Sequence, residues 1–210
     1  MDDIALIVPV RSFSSGKSRL AERLAPTERA ALARRLAEVV VDPDHGVVTY
    51  VVCDDVSIAR WSADRSARPM VVDTHGLNES LTAARQEILA DSPAQWFAIV
   101  HADLPLAHRL PEDLGAVWST VRDERGVAIV TDAESDGTNV LVLPRSVFQD
   151  WKFVYGPESC RSHRSQAESR RLFVNVIGTG NLSLDLDTAR DLDDPRIRTI
   201  LGSMLPGRNN

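Results

Sequence analysis

The chain has little of what would commit it to a special environment. Only two cysteines occur in 210 residues. Cys53 and Cys160 are far apart, with no second Cys nearby, so neither a disulfide framework nor metal-ligand spacing is implied. Each reads as a free thiol of a reducing compartment. No apolar run approaches the length that spans a bilayer, and the opening MDDIALIVPV carries acids where a secretory signal carries positive charge. These absences lead to the expectation of a cytoplasmic protein with no membrane partner. Basic residues are also outnumbered: 24 Lys and Arg against 30 Asp and Glu leave a formal charge of -6, which argues against nucleic acid and toward small ligands. Internal repeats and dividing linkers are missing, so residues 1–210 read as a single domain, with a homo-oligomer left open.

What is present is an ordinary globular composition, 43% hydrophobic and 26% charged, which excludes disordered and fibrous readings. Ile4 to Val10 form a short continuous apolar run, the signature of a strand buried on both faces. Leu32, Leu36, Val39 and Val40 then line one face of a helix, with Thr27 as a plausible cap. The alternation continues. Strands are expected at Val47 to Cys53, Met70 to Val72 and Trp96 to Val100, with helices around Trp61, over Leu77 to Ile88, and over Leu114 to Val121. This rhythm implies an α/β domain on a parallel sheet. Val127 to Thr131 and Asn139 to Leu143 are further strands, joined by the turn-rich Asp132 to Gly137 as a hairpin or insertion. A polar, Arg- and Ser-rich segment runs to Arg171, followed by a strand over Leu172 to Ile177 and a final helix near Thr188 to Leu192. Pro206 to Asn210 read as a frayed end.

Chemistry-bearing residues cluster where strands end, which is where open α/β sheets bind ligands. Arg11 to Arg19 leave the first strand in a small-residue loop with three cations, Arg11, Lys17 and Arg19, suited to face a triphosphate. The loop is not the phosphate-binding G-x-x-x-x-G-K-[ST] motif, because Arg11 stands where its first glycine would fall. Asp103, in His101-Ala102-Asp103-Leu104-Pro105, sits just past a strand end and suits a magnesium ligand, since Mg²⁺ takes hard carboxylate oxygens together with substrate phosphates. Asp185 and Asp187 close a presumed short strand, and Asp187 alternatively caps the helix expected after it. Gly137-Thr138 and Tyr155-Gly156-Pro157-Glu158-Ser159 offer N–H and O–H donors to an anion. His163 lies in a run of arginines, Arg161, Arg164, Arg170 and Arg171, a basic cluster that could attract a phosphate or carboxylate but reads first as a solvated face.

Taken in order, Arg11 to Leu20, Ala102-Asp103-Leu104-Pro105, Gly137-Thr138, Tyr155 to Ser159 and Leu184-Asp185-Leu186-Asp187-Thr188 resemble the phospholactate and phosphoenolpyruvate guanylyltransferases of deazaflavin coenzyme F-420 biosynthesis. The resemblance implies a three-layer α/β/α sandwich with a mostly parallel sheet, like the nucleotide-diphospho-sugar transferases. It implies GTP and a small phosphorylated carboxylic acid as partners, Mg²⁺ as cofactor, and pyrophosphate as second product. By position it assigns the metal to Asp103, Asp185 and Asp187, and the acceptor to Thr138, Gly156 and Ser159. Lys17 falls on a phosphate-facing lysine, so Lys17, Arg19 and Asp103 are expected to act in catalysis. Arg11, Ser15, Gly16, Lys17 and Asn78 are expected to hold the nucleotide. The sequence departs from the family at Ala102, where relatives often carry Gly, and at the acids Glu134 and Asp136 before Gly137. Rival readings are a related transferase with another nucleotide and a molybdopterin or sugar-phosphate acceptor, or a catalytically silent nucleotide-binding module.

Overall fold

The computed structural model describes residues 3–14, 16–74 and 76–204. Ser15, expected at the nucleotide, and the end expected to fray lie outside the described residues. Seven strands form one sheet: β1 (Ile4–Pro9), β2 (Thr49–Cys53), β3 (Arg68–Val71), β4 (Trp96–Val100), β5 (Val127–Thr131), β6 (Thr138–Pro144) and β7 (Val174–Ile177), in the order β3-β2-β1-β4-β6-β5-β7. All neighbours run parallel except at β6, which is antiparallel to both β4 and β5. The apolar continuity of β1 has its reason here. Ile4, Leu6 and Val8 face one core while Ala5 and Ile7 face the other, so every position is covered.

Among the described residues, seven α-helices accompany the sheet. α1 (Pro26–Val40), α2 (Val56–Ala63) and α4 (Leu110–Ser119) pack on the first face, as Val40, Trp61 and Leu114 show. α3 (Leu77–Asp91), α5 (Arg145–Phe148) and α6 (Ser159–Ser169) pack on the second, through Ile88, Phe148 and Ala167. The result is the three-layer sandwich that the resemblance implied, built on the mostly parallel sheet that the alternating pattern predicts. A third, smaller core joins Leu20, Leu32, Leu36, Leu184, Leu186 and, from α7 (Pro195–Met204), Ile197. Leu20 and Leu186 are fully buried, each contributing about 1.5–3 kcal/mol of burial free energy that ties the loop after β1 to the C-terminal segment.

Several local expectations are corrected. Thr27 does not cap α1: Pro26 opens the helix, where its missing N–H costs nothing, and Glu28 reaches back to the Ala25 N–H at 2.7 Å. The Arg- and Ser-rich segment is helical as α6, and His163 on it is fully buried instead of solvated. Residues 184–186 join no strand; the Leu186 N–H bonds instead to the Asp103 carbonyl. Thr188 to Leu192 is not a helix. The Asp191 carboxylate gathers the N–H groups of Asp187 and Thr188, a 3-10 turn follows at Asp191–Asp193, and the helix starts only at Pro195. Asp187 therefore caps nothing, which frees its carboxylate for side-chain partners.

Candidate active site

β1 has β2 on one side and β4 on the other, so the chain reverses its direction of travel across the sheet between β1 and β4. Loops leaving the carboxyl ends of those two strands must part there, and the crevice between them is the usual ligand position of an open α/β sheet. A cleft of about 280 Å³ opens at this point, lined among others by Arg11, Gly16, Lys17, His101, Asp103 and Asp187. The loop after β1 is pinned at one end by Phe13, edge-on to Trp61 at 5.1 Å, and at the other by Leu20. Between them Lys17 adopts a left-handed backbone, φ 59°, before the 3-10 turn Ser18–Leu20. Such a conformation is uncommon for a residue with a side chain and concentrates at functional sites.

Lys17 joins two of the three aspartates. Its Nζ stands 2.7 Å from Asp103 Oδ2 and 3.8 Å from Asp187 Oδ1, with only 8% of its side chain exposed. Arg19 reaches Asp187 Oδ2 at 2.7 Å from a largely exposed position. Burial opposes ionisation of Asp103, but Lys17 and His101 outweigh it and hold the carboxyl below its ordinary range. Asp185 goes the other way: burial and the nearby Asp103 charge push it up to about 6, against the smaller pull of Asn139 and Lys17. An acid that resists ionisation beside a second acid marks a place short of positive charge.

Whether these residues suit magnesium turns on their open coordination. Among the described residues no three His, Cys, Asp or Glu side chains form a ready-made metal cage, so the three aspartates do not appear as a preformed triad. Asp103 Oδ1, however, is buried without a hydrogen-bond partner. A hard carboxylate oxygen left so, with the charge-starved Asp185 in its electrostatic reach, fits a divalent cation.

A second group lies beside the first. The His101 N–H bonds to the Asn139 carbonyl, and the His101 ring stands 5.2 Å from that of Tyr155. Thr138, next to Asn139, receives the Ser159 hydroxyl at 3.3 Å and contacts His163 Nδ1 at 3.1 Å. Gly156, with φ 128°, accepts the Ser159 N–H. Thr138, Gly156 and Ser159 are thus brought together. Asn78 does not line the cleft; its carboxamide accepts the Tyr155 N–H at 2.7 Å and donates to the Tyr155 carbonyl at 3.1 Å. The sequence assigns no separate role to His101 or Tyr155, which stand there only as motif neighbours, and places His163 on a basic face. For His163 a signal existed: Cys160, His163 and Ala167 recur at helical spacing, an inward face hidden among arginines.

Solved structures share this fold. A crystal structure from Desulfovibrio desulfuricans described as a nucleotide-diphospho-sugar transferase superposes with a TM-score of 0.69 at 15% identity, over 91% of this chain and 85% of that one. A nucleotidyl transferase from Methanothermobacter matches with a TM-score of 0.60 at 12% identity, over 95% and 97%. The fold is therefore that of the nucleotidyltransferases. Within that class, the family model Guanylyl transferase CofC like matches residues 4–198, and the chain belongs to this family. A phosphoenolpyruvate guanylyltransferase of Sphaerobacter thermophilus is 33% identical over 90% of both chains. A 2-phospho-L-lactate guanylyltransferase of Methanosphaera stadtmanae is 25% identical over 92% of this chain and 84% of its own.

Proposed function

We propose that this protein transfers the GMP unit of GTP to the phosphate of a small phosphorylated carboxylic acid, 2-phospholactate, phosphoenolpyruvate or 3-phosphoglycerate, as a step of deazaflavin coenzyme F-420 biosynthesis. The observation that carries the reading is the Lys17–Asp103–Asp187 constellation at the strand switch point of a chain in a guanylyl transferase family. An oxygen of the acceptor phosphate attacks the α-phosphorus of GTP. The bond from the α-phosphorus to the bridging oxygen breaks, and pyrophosphate leaves with its electron pair. A phosphate monoester has its second pKa near ~6, so the nucleophile is already a dianion at neutral pH and needs no base.

Catalysis is then positioning and charge neutralisation. Lys17 and Arg19 offset the charge that grows on the departing pyrophosphate, while Arg11 and Gly16 line the triphosphate's approach. Mg²⁺, held by Asp103 with Asp185 and Asp187, would supply further neutralisation of phosphate oxygens when bound. Thr138, Gly156 and Ser159 hold the acid. The site works in a cytoplasmic setting, where GTP and magnesium are both at hand.

The test is pyrophosphate release with GTP, CTP and ATP side by side, each with the three acids and Mg²⁺. Release with GTP and at least one acid, and a guanylylated acid by mass, is expected. Preference for CTP or ATP would point to the related transferase, and GTP binding without release under any pairing to a silent module.

A further inference from the structure

His163 has no part in the transfer as described, yet among the described residues it is the most completely enclosed histidine, 0% exposed. Its ring lies under Tyr155, with centroids 4.9 Å apart, and near Trp151 at 6.1 Å. Both nitrogens are engaged. The Val154 N–H donates to Nε2 at 3.3 Å, and Nδ1 lies 3.1 Å from Thr138 Oγ1. A backbone N–H can only donate, so Nε2 must be the acceptor and the proton of the neutral ring sits on Nδ1. The opposite tautomer would press a donor against a donor in a dry site, and burial already holds the ring neutral, its pKa pushed down to about 4.

The consequence falls on Thr138. A hydroxyl has one proton to give and two lone pairs to receive with. One lone pair takes the His163 Nδ1–H, and the other takes the Ser159 hydroxyl proton at 3.3 Å. Only the Thr138 proton remains uncommitted. We infer that His163 is a positioning residue: by filling the receiving side of the Thr138 hydroxyl together with Ser159, it makes that hydroxyl a pure donor toward a carboxylate or phosphate oxygen of the acceptor. This rests on the functional reading above, which puts the acceptor at Thr138. The arrangement favours an anionic oxygen over a neutral group that must itself donate there.

The experiment is a double-mutant cycle on acceptor KM, joined to a direct reading of the ring. Nitrogen NMR of the unmodified protein at neutral pH should show Nδ1 protonated and Nε2 bare; a proton on Nε2 overturns the inference. In His163→Asn the side-chain amide reaches the Nδ1 position and keeps the donor, whereas in His163→Gln it reaches the Nε2 position and loses it. Thr138→Val and His163→Gln should each raise acceptor KM by about tenfold, with GTP KM unchanged, and the pair should be no worse than Thr138→Val alone. His163→Asn should stay within about threefold of the parent. Multiplying effects in the double variant, or equal losses in Asn and Gln, would show a merely structural histidine. Should His163→Gln fail to fold, the ring spectrum and the Asn variant still decide. A parent protein that releases no pyrophosphate with any acid overturns the functional reading and this inference with it; an active parent with independent effects overturns this inference alone.

Discussion

Lys17 shows how much one side chain is asked to do. It holds a left-handed backbone, and its buried ammonium is shared between two aspartates from distant parts of the chain. Removing it in Lys17→Met strips the main counter-charge from a carboxylate that keeps only 27% of its side chain exposed. Breaking a fully buried pair costs about 3–5 kcal/mol, and partial exposure reduces this to roughly 2 kcal/mol, measurable by urea unfolding. Arg19 is the contrast. Its side chain is 72% exposed, so Arg19→Ala should move stability by less than about 0.5 kcal/mol while pyrophosphate release falls by about tenfold. A matching loss of stability would mean that Arg19 holds the loop instead of the leaving group. The sequence singles out both as cations in a small-residue loop past a buried strand, and the structure sets both against Asp187. His163 is not singled out in this way. Its neighbours along the chain are solvated arginines, and only its inward spacing with Cys160 and Ala167 separates it from them.

At the level of elements, α3 acts as a clamp on the segment that leads into the Gly156–Ser159 turn. Asn78 at its first turn grips both backbone groups of Tyr155, and Arg85 two turns later reaches the carbonyls of Gln149 and Trp151 at 3.3 and 2.5 Å. Arg85 is 91% buried and makes no ion pair among the described residues, its charge resting on carbonyls and on the Phe153 ring at 4.9 Å, with Asp150 acting only from a distance. Asn78→Ala should therefore cost about 1–3 kcal/mol through the unmade Tyr155 hydrogen bonds. If Asn78 serves the Tyr155 segment, the variant should also raise acceptor KM and leave GTP KM unchanged; a change in GTP KM instead would place Asn78 at the nucleotide, as the resemblance implies. Strands β4 and β5 could be read to the residue, because unbroken apolar runs between turn residues have sharp ends. The final helix could not. Tertiary contact decides there: Asp191 gathers the preceding backbone, and Asp194 accepts the Arg196 N–H at 2.8 Å, so the helix begins at Pro195. The hold of Asn78 on Tyr155 escapes the sequence for a similar reason, since the two lie 77 residues apart and no local pattern announces the pair.

For the whole molecule, pH is the broadest lever. The unfolded chain protonates His163 near its ordinary pKa of ~6.5, whereas the folded chain refuses the proton until about 4. Between those values the unfolded state binds more protons, so stability rises with pH, by up to about 1.4 kcal/mol per unit. Asp185, its carboxyl pushed up to about 6, works in the opposite direction over the same range, so the histidine's share is read as a difference: in urea unfolding from pH 7 to pH 5 the parent should lose more stability, or gain less, than His163→Asn, and equal changes in the two would place the effect elsewhere. The sheet order has the larger functional meaning. It parts the loops after β1 and β4 at one crevice, and the small core around Leu20 and Leu186 brings the C-terminal aspartates to the same place. That a sheet existed was plain from periodicity, but the antiparallel insertion of β6 was only hinted at by the turn-rich Asp132 to Gly137. The account as a whole stands on Asp103, where Lys17, an unpartnered carboxylate oxygen and the neighbouring Asp185 meet. Its most direct test is the yield of guanylylated acid from labelled GTP by Asp103→Asn, with folding checked by thermal melting. A folded variant should lose at least about a hundredfold in product, and product formed at the parent rate would contradict the assignment.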